Sequence, residues 1–330
     1  MAGNFDSWQL GRVAATTEVA DTIRQIVITT DRVHHAEPGS HVDIRVGPDM
    51  VRSYSIVECR DGGRSLVLGV HLSPSSRGGS RYMHALAPGD DIELTAPRQN
   101  FPLRIGAERY VLVAGGIGIT AVAAMAAVLG RLGADYTLVY VGRSRSAMAF
   151  LPELQFAHGE HLRVYVDDED TPLDVPALID DLAGRADADR TELYMCGPIR
   201  LMGAVRRAWN NAELPPTNLR YETFGNSGWF SSEEFIVRIP SLGTETTVSP
   251  NESVLDALER SGVEIMYDCR KGECGLCRVD VLDLDGKIDH RDVFLSQTQK
   301  AESIRLCACV SRVIRGSTSS QVGVLTLDLP

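Results

Sequence analysis

The sequence predicts a multidomain chain, with an antiparallel β-barrel over residues 1–104, a parallel-sheet α/β domain over 105–228 and a small α+β domain over 229–330. Three observations predict it. Short alternating runs set between turn residues, such as Leu66-Val67-Leu68-Gly69-Val70-His71-Leu72 and Asp91-Ile92-Glu93-Leu94, fill the first part, each with one apolar face. From about residue 105 the rhythm changes to apolar strands alternating with helical segments, at 110–114, 135–141, 162–166, 193–195 and 219–223. That alternation implies a doubly wound sheet with any ligand at the carboxyl ends of its strands. Finally, Cys269, Cys274, Cys277, Cys307 and Cys309 crowd into the last part of the chain, leaving only Cys59 and Cys196 elsewhere.

Local signals justify each element in turn. Strands with one apolar face bury it by closing on themselves, hence the barrel. Residues 110–130 carry no charge and have the length of a membrane span. Gly115, Gly116 and Gly118 interrupt them after the β-type run Tyr110-Val111-Leu112-Val113-Ala114, and the remainder is mostly weakly apolar alanine, so strand, glycine turn and buried helix are expected. The glycine and serine content of 225–232 reads as a linker, after which Phe235-Ile236-Val237-Arg238-Ile239 opens the third domain. Ser249-Pro250-Asn251-Glu252 reads as a capping box with proline at the first helical position.

With 33 Lys and Arg against 44 Asp and Glu, the net charge of -11 would be repelled by phosphate, so neither nucleic acid nor an anionic membrane is expected as a partner. The first residues, with Asp6 and no basic start or apolar run, do not read as a signal peptide. A cytoplasmic location follows, and there a cysteine cluster signals metal ligands sooner than disulfides.

Cys269-Arg-Lys-Gly-Glu-Cys274-Gly-Leu-Cys277 has the C-x4-C-x2-C spacing of a plant-type 2Fe-2S ferredoxin. Three thiolates on one tight loop wrap two irons only if the backbone turns sharply between them, which Gly272 and Gly275 permit. The fourth ligand must come from elsewhere. Cys307 and Cys309 both qualify, and period-two alternation would put them on one face of a strand. The alternative from another class is a zinc-stabilised, non-enzymatic binding module, although zinc sites favour paired C-x2-C hooks.

At these residues the chain resembles, over nearly its full length, the phthalate dioxygenase reductase family, whose members feed electrons to Rieske oxygenases. The family's distant cysteine begins a Cys-Val-Ser-Arg segment, which Cys309-Val310-Ser311-Arg312 matches. The resemblance therefore implies a β-grasp, plant-type ferredoxin domain with Cys269, Cys274, Cys277 and Cys309 as metal ligands. Cys307 becomes a bystander thiol, and the extra residues before Cys309 are absorbed by a turn at 282–286.

The resemblance also implies a flavin in the barrel, FMN, with FAD the alternative. Arg52-Ser53-Tyr54-Ser55 matches one motif: Arg52 and Tyr54 share a strand face, giving a guanidinium for phosphate and a ring for the isoalloxazine, with Ser55 near its reactive nitrogen. Gly78, Gly79 and Ser80, ahead of a short helical segment, would present amides to the phosphate. Ala96-Pro97-Arg98-Gln99-Asn100-Phe101-Pro102-Leu103 resembles the barrel exit.

For the nicotinamide cofactor, Gly115-Gly116-Ile117-Gly118-Ile119-Thr120 departs from G-x-G-x-x-G but lies between a strand and a helix start, where amides reach a pyrophosphate. Ala121 stands where the family has proline. By resemblance, Cys196, Gly197 and Pro198 lie beside the nicotinamide, and Phe224 covers the flavin until the nicotinamide displaces it. Arg143 and Arg145 would suit a 2′-phosphate, whereas Asp167 and Asp168 would suit ribose hydroxyls; the family's habit favours NADH.

Nicotinamide gives two electrons as hydride and a cluster moves one at a time, so flavin is the adapter. The expected function is an NADH-dependent reductase passing electrons through FMN to 2Fe-2S and on to a terminal oxygenase, the catalytic positions being Ser55, Cys196 and Phe224. The alternative is a reductase for a cytochrome P450 or another acceptor. Residues 233–330 carry 16 acidic against 11 basic side chains, a balance suited to docking on a basic acceptor.

Overall fold

The computed structural model describes residues 8–47, 50–74, 76–225, 228–316 and 322–329. They form two compact units, one of residues 1–197 with 204–222, the other of 198–203 with 223–330.

The first unit opens with β1 (Gln9–Ala20), β2 (Ile23–Thr30), β3 (Ser40–Gly47), β4 (Met50–Arg60), β5 (Ser65–His71), helix α1 (Gly79–Ala85), β6 (Asp91–Leu94) and β7 (Arg98–Gln99). The first six strands run in the order β4-β5-β2-β1-β6-β3, and β3 pairs back onto β4, closing an antiparallel barrel to which β7 adds beside β3. Alternate side chains such as Val13, Ile26, Ile28, Val42, Leu66 and Leu68 fill it. The expectation of one apolar face per strand fails at β5, which is buried on both. Leu66 and Leu68 face the barrel core, whereas a side chain at Gly69 would stand 2.8 Å from Thr120 Cγ2 and 3.2 Å from the Phe150 ring. The α/β part of the same unit covers that face.

That part comprises β8 (Arg109–Gly115), α2 (Ile119–Leu132), β9 (Tyr136–Gly142), α3 (Leu151–His158), β10 (Leu162–Val166), α4 (Val175–Ala183), β11 (Thr191–Cys196), α5 (Ile199–Asn211) from residue 204 on and β12 (Leu219–Glu222). The sheet is parallel, in the order β10-β9-β8-β11-β12. β8 and β11 are almost wholly buried, as strands covered by helices on both faces must be. The uncharged stretch at 110–130 divides between β8 and α2, and among the described residues no helix is long and apolar enough to cross a membrane.

The second unit contains β13 (Phe235–Ile239), β14 (Thr244–Val248), α6 (Val254–Arg260), β15 (Arg278–Asp285), β16 (Lys287–Asp289), α7 (Gln297–Glu302), β17 (Arg305–Cys307), β18 (Arg312–Ile314) and β19 (Gly323–Asp328). The main sheet runs β14-β13-β19-β15-β17, with β13 and β19 parallel and the other pairs antiparallel. It grasps α6 through a core that includes Phe235, Val237, Leu255, Leu258, Leu325 and Leu327.

Three expectations need correction here. The capping box lies four residues later than Ser249: Ser253 Oγ accepts from the Asp256 amide at 3.1 Å, and Asp256 Oδ2 accepts from the Ser253 amide at 3.1 Å. Residues 249–252 form a turn instead, held by Arg312, which donates to the carbonyls of Ser249 at 2.8 Å, Glu233 at 2.9 Å and Glu252. The turn expected at 282–286 is mostly strand, because β15 continues through a one-residue bulge between Val281 and Asp283 and turns only at Gly286. In the expected linker, Asn226 and Ser227 lie outside the described residues, but 228–232 are tied down. A buried Asp289–Arg291 ion pair, 2.7 Å long, takes the Trp229 amide on Asp289 and places Arg291 on the Phe230 carbonyl and Ser232 hydroxyl.

Arg312→Ala should lower the stability of this unit by about 3 kcal/mol, because it leaves three carbonyls without their charged donor. Lysine cannot restore a planar fork spanning three acceptors. Chemical denaturation followed by the loss of cluster absorbance checks this; an unchanged midpoint would contradict it.

Candidate functional site

The cluster loop joins α6 to β15. Gly272 and Gly275 take φ of 77° and 73°, and neither has room for a side chain: a Cβ would meet Val310 at 2.7 Å or the Phe294 ring at 2.4 Å. Arg270 anchors the loop to α6 through Asp256 at 3.0 Å and Glu259 at 2.6 Å, with its guanidinium 4.1 Å from the Tyr267 ring centre. So bent, the loop aims the amides of Lys271, Glu273 and Cys274 at Cys269 Sγ, at 3.4–3.5 Å. That is a cradle for a thiolate.

The two candidate fourth thiols are both buried but differ in reach. β17 stops at Cys307 and residues 308–310 turn, so the alternation that would have put both on one strand face does not apply. Cys309 lies near enough to both Cys269 and Cys277 to act on their thiols, whereas Cys277 is the loop thiol on which Cys307 acts. The bond from Cys309, joined by the loop amides, holds Cys269 well below the usual thiol range, and Cys307 and Cys309 together do the same for Cys277. Their own thiols are pushed up, by those bonds and by burial. A metal ligand has to be a thiolate, and the three loop amides aimed at Cys269 Sγ favour that form there. Among the described residues no three His, Cys, Asp or Glu converge as ligands of one ion do; a binuclear cluster spreads its thiolates over two irons.

In the barrel, Arg52 and Tyr54 share a face of β4 and meet the start of α1. A Cβ on Gly79 would stand 2.7 Å from Arg52 Cγ and 3.1 Å from the Tyr54 hydroxyl. Gly78 takes φ of 99°, and no side chain caps the first amides of α1. Burial pushes the Tyr54 hydroxyl up, keeping it a neutral donor. The Ser80 hydroxyl accepts from the Ser73 amide at 3.2 Å, Ser55 is buried, and Ser53 faces the other way, donating to Asp43 at 2.5 Å. Arg52, Tyr54 and Gly79 are thus brought together, while the Ser53 side chain is engaged elsewhere.

The nucleotide motifs meet at the edge between β8 and β11. Strand order reverses there, β9 and β10 lying to one side and β12 to the other, which makes it the switch point where doubly wound sheets open a crevice. A Cβ on Gly118 would stand 2.1 Å from the Cys196 carbonyl oxygen, and one on Gly197 would stand 3.0 Å from Gly115 Cα. Gly118 is the N-cap of α2 with no side-chain cap, so its helix start offers amides. The Thr120 hydroxyl is already used, donating to the Ile117 carbonyl at 2.9 Å, and the Cys196 side chain is buried. Ala121, also buried, is the third residue of α2. Arg143 and Asp167 follow β9 and β10 on exposed turns, and Pro198 is exposed before α5.

Phe224 is half-buried rather than part of a core. Its neighbour Thr223 donates through its amide to Glu273 at 2.6 Å, and its hydroxyl lies within hydrogen-bond distance of the Lys271 carbonyl at 2.7 Å and of Glu273 at 2.8 Å. Burial pushes the Glu273 carboxyl up. Sequence reasoning missed Arg270 and Glu273, although both lie inside the cysteine motif and a charged residue between ligands was the available signal.

Residues 237–313 match the family model of the 2Fe-2S iron-sulfur cluster binding domain. The chain is 36% identical, over 84% of its length and 86% of the relative's, to a putative toluene-4-sulfonate monooxygenase system reductase subunit of Comamonas testosteroni. It is 34% identical, over 84% and 87%, to a vanillate O-demethylase oxidoreductase of a Pseudomonas species. Among solved structures it superposes on phthalate dioxygenase reductase, described as a modular structure for electron transfer from pyridine nucleotides to [2Fe-2S], with a TM-score of 0.70, 28% identity and 98% of both chains covered. It also matches an intact type IV self-sufficient cytochrome P450 monooxygenase with a TM-score of 0.64 and 36% identity, spanning 98% of this chain but 41% of that longer one. The match to the 2Fe-2S domain displaces the zinc alternative, and with relatives of this identity along most of its length the chain belongs to the phthalate dioxygenase reductase family of oxidoreductases.

Proposed function

We propose that this chain is the NADH-dependent reductase of an oxygenase system, taking electrons from NADH through FMN to a 2Fe-2S cluster and on to a terminal oxygenase. The oxygenase would be a Rieske-type monooxygenase, dioxygenase or demethylase acting on an aromatic or other small molecule. The carrying observation is the meeting of the two glycine motifs at the β8–β11 switch point, in a chain whose relatives are oxygenase-system reductases.

When bound, these groups supply a two-electron donor, an adapter and a one-electron carrier. The residues bind and orient. Arg52 and the amides from Gly78 to Ser80 would hold the flavin phosphate, Tyr54 would stack on the ring, and Ser53 through its backbone and Ser55 through backbone or hydroxyl would line its edge. Gly115, Gly116, Gly118 and Thr120 shape the pyrophosphate turn. Arg143 and Asp167 would flank the adenosine ribose, Cys196, Gly197 and Pro198 would frame the nicotinamide, and Phe224 is the further catalytic position. Cys269, Cys274, Cys277 and Cys309 ligate the cluster. The limits of the flavin, nucleotide and ferredoxin domains are those at 1–104, 105–228 and 229–330, and the setting is the cytoplasm.

Around the cluster loop Met266, Tyr267, Leu276 and Phe294 are exposed, an apolar rim within an acidic surface that supports docking of a basic acceptor. A second reading, a reductase for a cytochrome P450, is supported by the match to 41% of the self-sufficient P450 monooxygenase chain. Reconstitution decides: with NADH and this chain, a terminal Rieske oxygenase from the same host is expected to turn over. Turnover of a P450 instead, with none by the oxygenase, would favour the second reading.

A further inference from the structure

Two opposed signals flank the adenosine end of the proposed nucleotide site. β9 ends at Gly142 beside the end of β10 at Val166, and the turns that follow carry two arginines and four acids, 167–170. The structure ties these turns together. The Asp168 amide donates to the Arg143 carbonyl at 3.0 Å, and Arg145 Nε donates to Glu169 Oε1 at 2.7 Å. Arg145 is thereby occupied. Arg143 has no carboxylate partner among the described residues, and its charge acts on His71 of β5, holding that imidazole down after burial and His84. Arg145 is therefore the guanidinium committed to the acidic turn.

A ribose 2′-hydroxyl is a donor that a carboxylate accepts, whereas a 2′-phosphate is an anion that calls for a guanidinium. A 2′-phosphate here would find Arg145 held by Glu169 and would sit beside the acids of 167–170, with Arg143 the guanidinium that no carboxylate holds among the described residues. The pair is half-exposed, with 50% and 39% side-chain accessibility, so it can be broken without disturbing a core.

We propose that Glu169 determines the preference for NADH over NADPH, by holding Arg145 out of reach of a 2′-phosphate. Glu169 acts through Arg145 and is a specificity residue, not a catalytic one. The inference rests on the nucleotide reading given above.

The test compares kcat/KM for NADPH and NADH with ferricyanide as acceptor, in the holoprotein and in Glu169→Ala, Glu169→Gln and the double variant Arg145→Ala/Glu169→Ala, alongside calorimetric binding of 2′,5′-ADP. Glu169→Ala is expected to raise the NADPH:NADH ratio about tenfold, the scale of one charge-assisted hydrogen bond gained, and to tighten 2′,5′-ADP binding to match. Glu169→Gln should move both in the same direction, and the double variant should lose most of the gain. A ratio that stays within about twofold of wild type in Glu169→Ala overturns the inference. So does a double variant that keeps the whole gain, since removal of repulsion alone would then explain it. A wild type that oxidises NADH while the ratio fails to move sinks only this inference; a wild type that oxidises neither nucleotide sinks the reductase reading and this inference with it.

Discussion

Cys309→Ser is expected to strip the protein of its cluster iron, while Cys307→Ser keeps it. The two thiols are two residues apart, both buried, and both reach Cys277. Of the two, Cys309 alone also acts on Cys269. Cys307 is the last residue of β17, paired with Arg278 on β15, and lies on the Cys277 side. A serine there removes one neighbour of a ligand; a serine at Cys309 removes a ligand. Iron and acid-labile sulfide measured on the two purified variants decide it, and equal retention or the reverse order would overturn the assignment.

Gly118→Ala is expected to abolish NADH oxidation and to destabilise the first unit by about 1–3 kcal/mol, the cost of overpacking a tight interior. The new methyl would sit 2.1 Å from the Cys196 carbonyl oxygen and 2.5 Å from its carbon. Both are backbone atoms at the end of a buried strand, so neither can swing away. The turn after β8 would be driven from β11, opening the place where the pyrophosphate amides and the nicotinamide frame have to meet. Gly116 is the control: it takes φ of 52°, but a Cβ there would meet nothing within 4 Å, so Gly116→Ala carries backbone strain without that collision and should cost less. Stopped-flow reduction by NADH together with thermal melting reads both. Normal reduction in Gly118→Ala would contradict the placement.

The parts of the fold that could be read from sequence are those written in local periodicity. The strands at 162–166, 91–94 and 235–239 start and end where the pattern places them, because period two against period three-point-six is a property of neighbouring residues. The cysteine loop was legible because ligand spacing is itself local. What escaped depends on contacts across the chain. Ser249 and Ser253 both begin a capping pattern, and the choice between them is made by Arg312, some sixty residues on. Residues 228–232 have a linker's composition, yet Asp289 and Arg291 bind them. The alternation of β5 cannot announce that α2 covers its second face. Arg145 and Glu169 are both visible as charges, but only the parallel register of β9 and β10 makes them partners.

The most direct test of the central claim is the visible absorbance spectrum of the purified protein before and after anaerobic NADH, with iron, zinc and flavin quantified on the same sample. Overlapping flavin and iron–sulfur bands that bleach on adding NADH are the predicted result. A colourless, zinc-containing protein, or a coloured one whose bands do not respond to NADH, would contradict it.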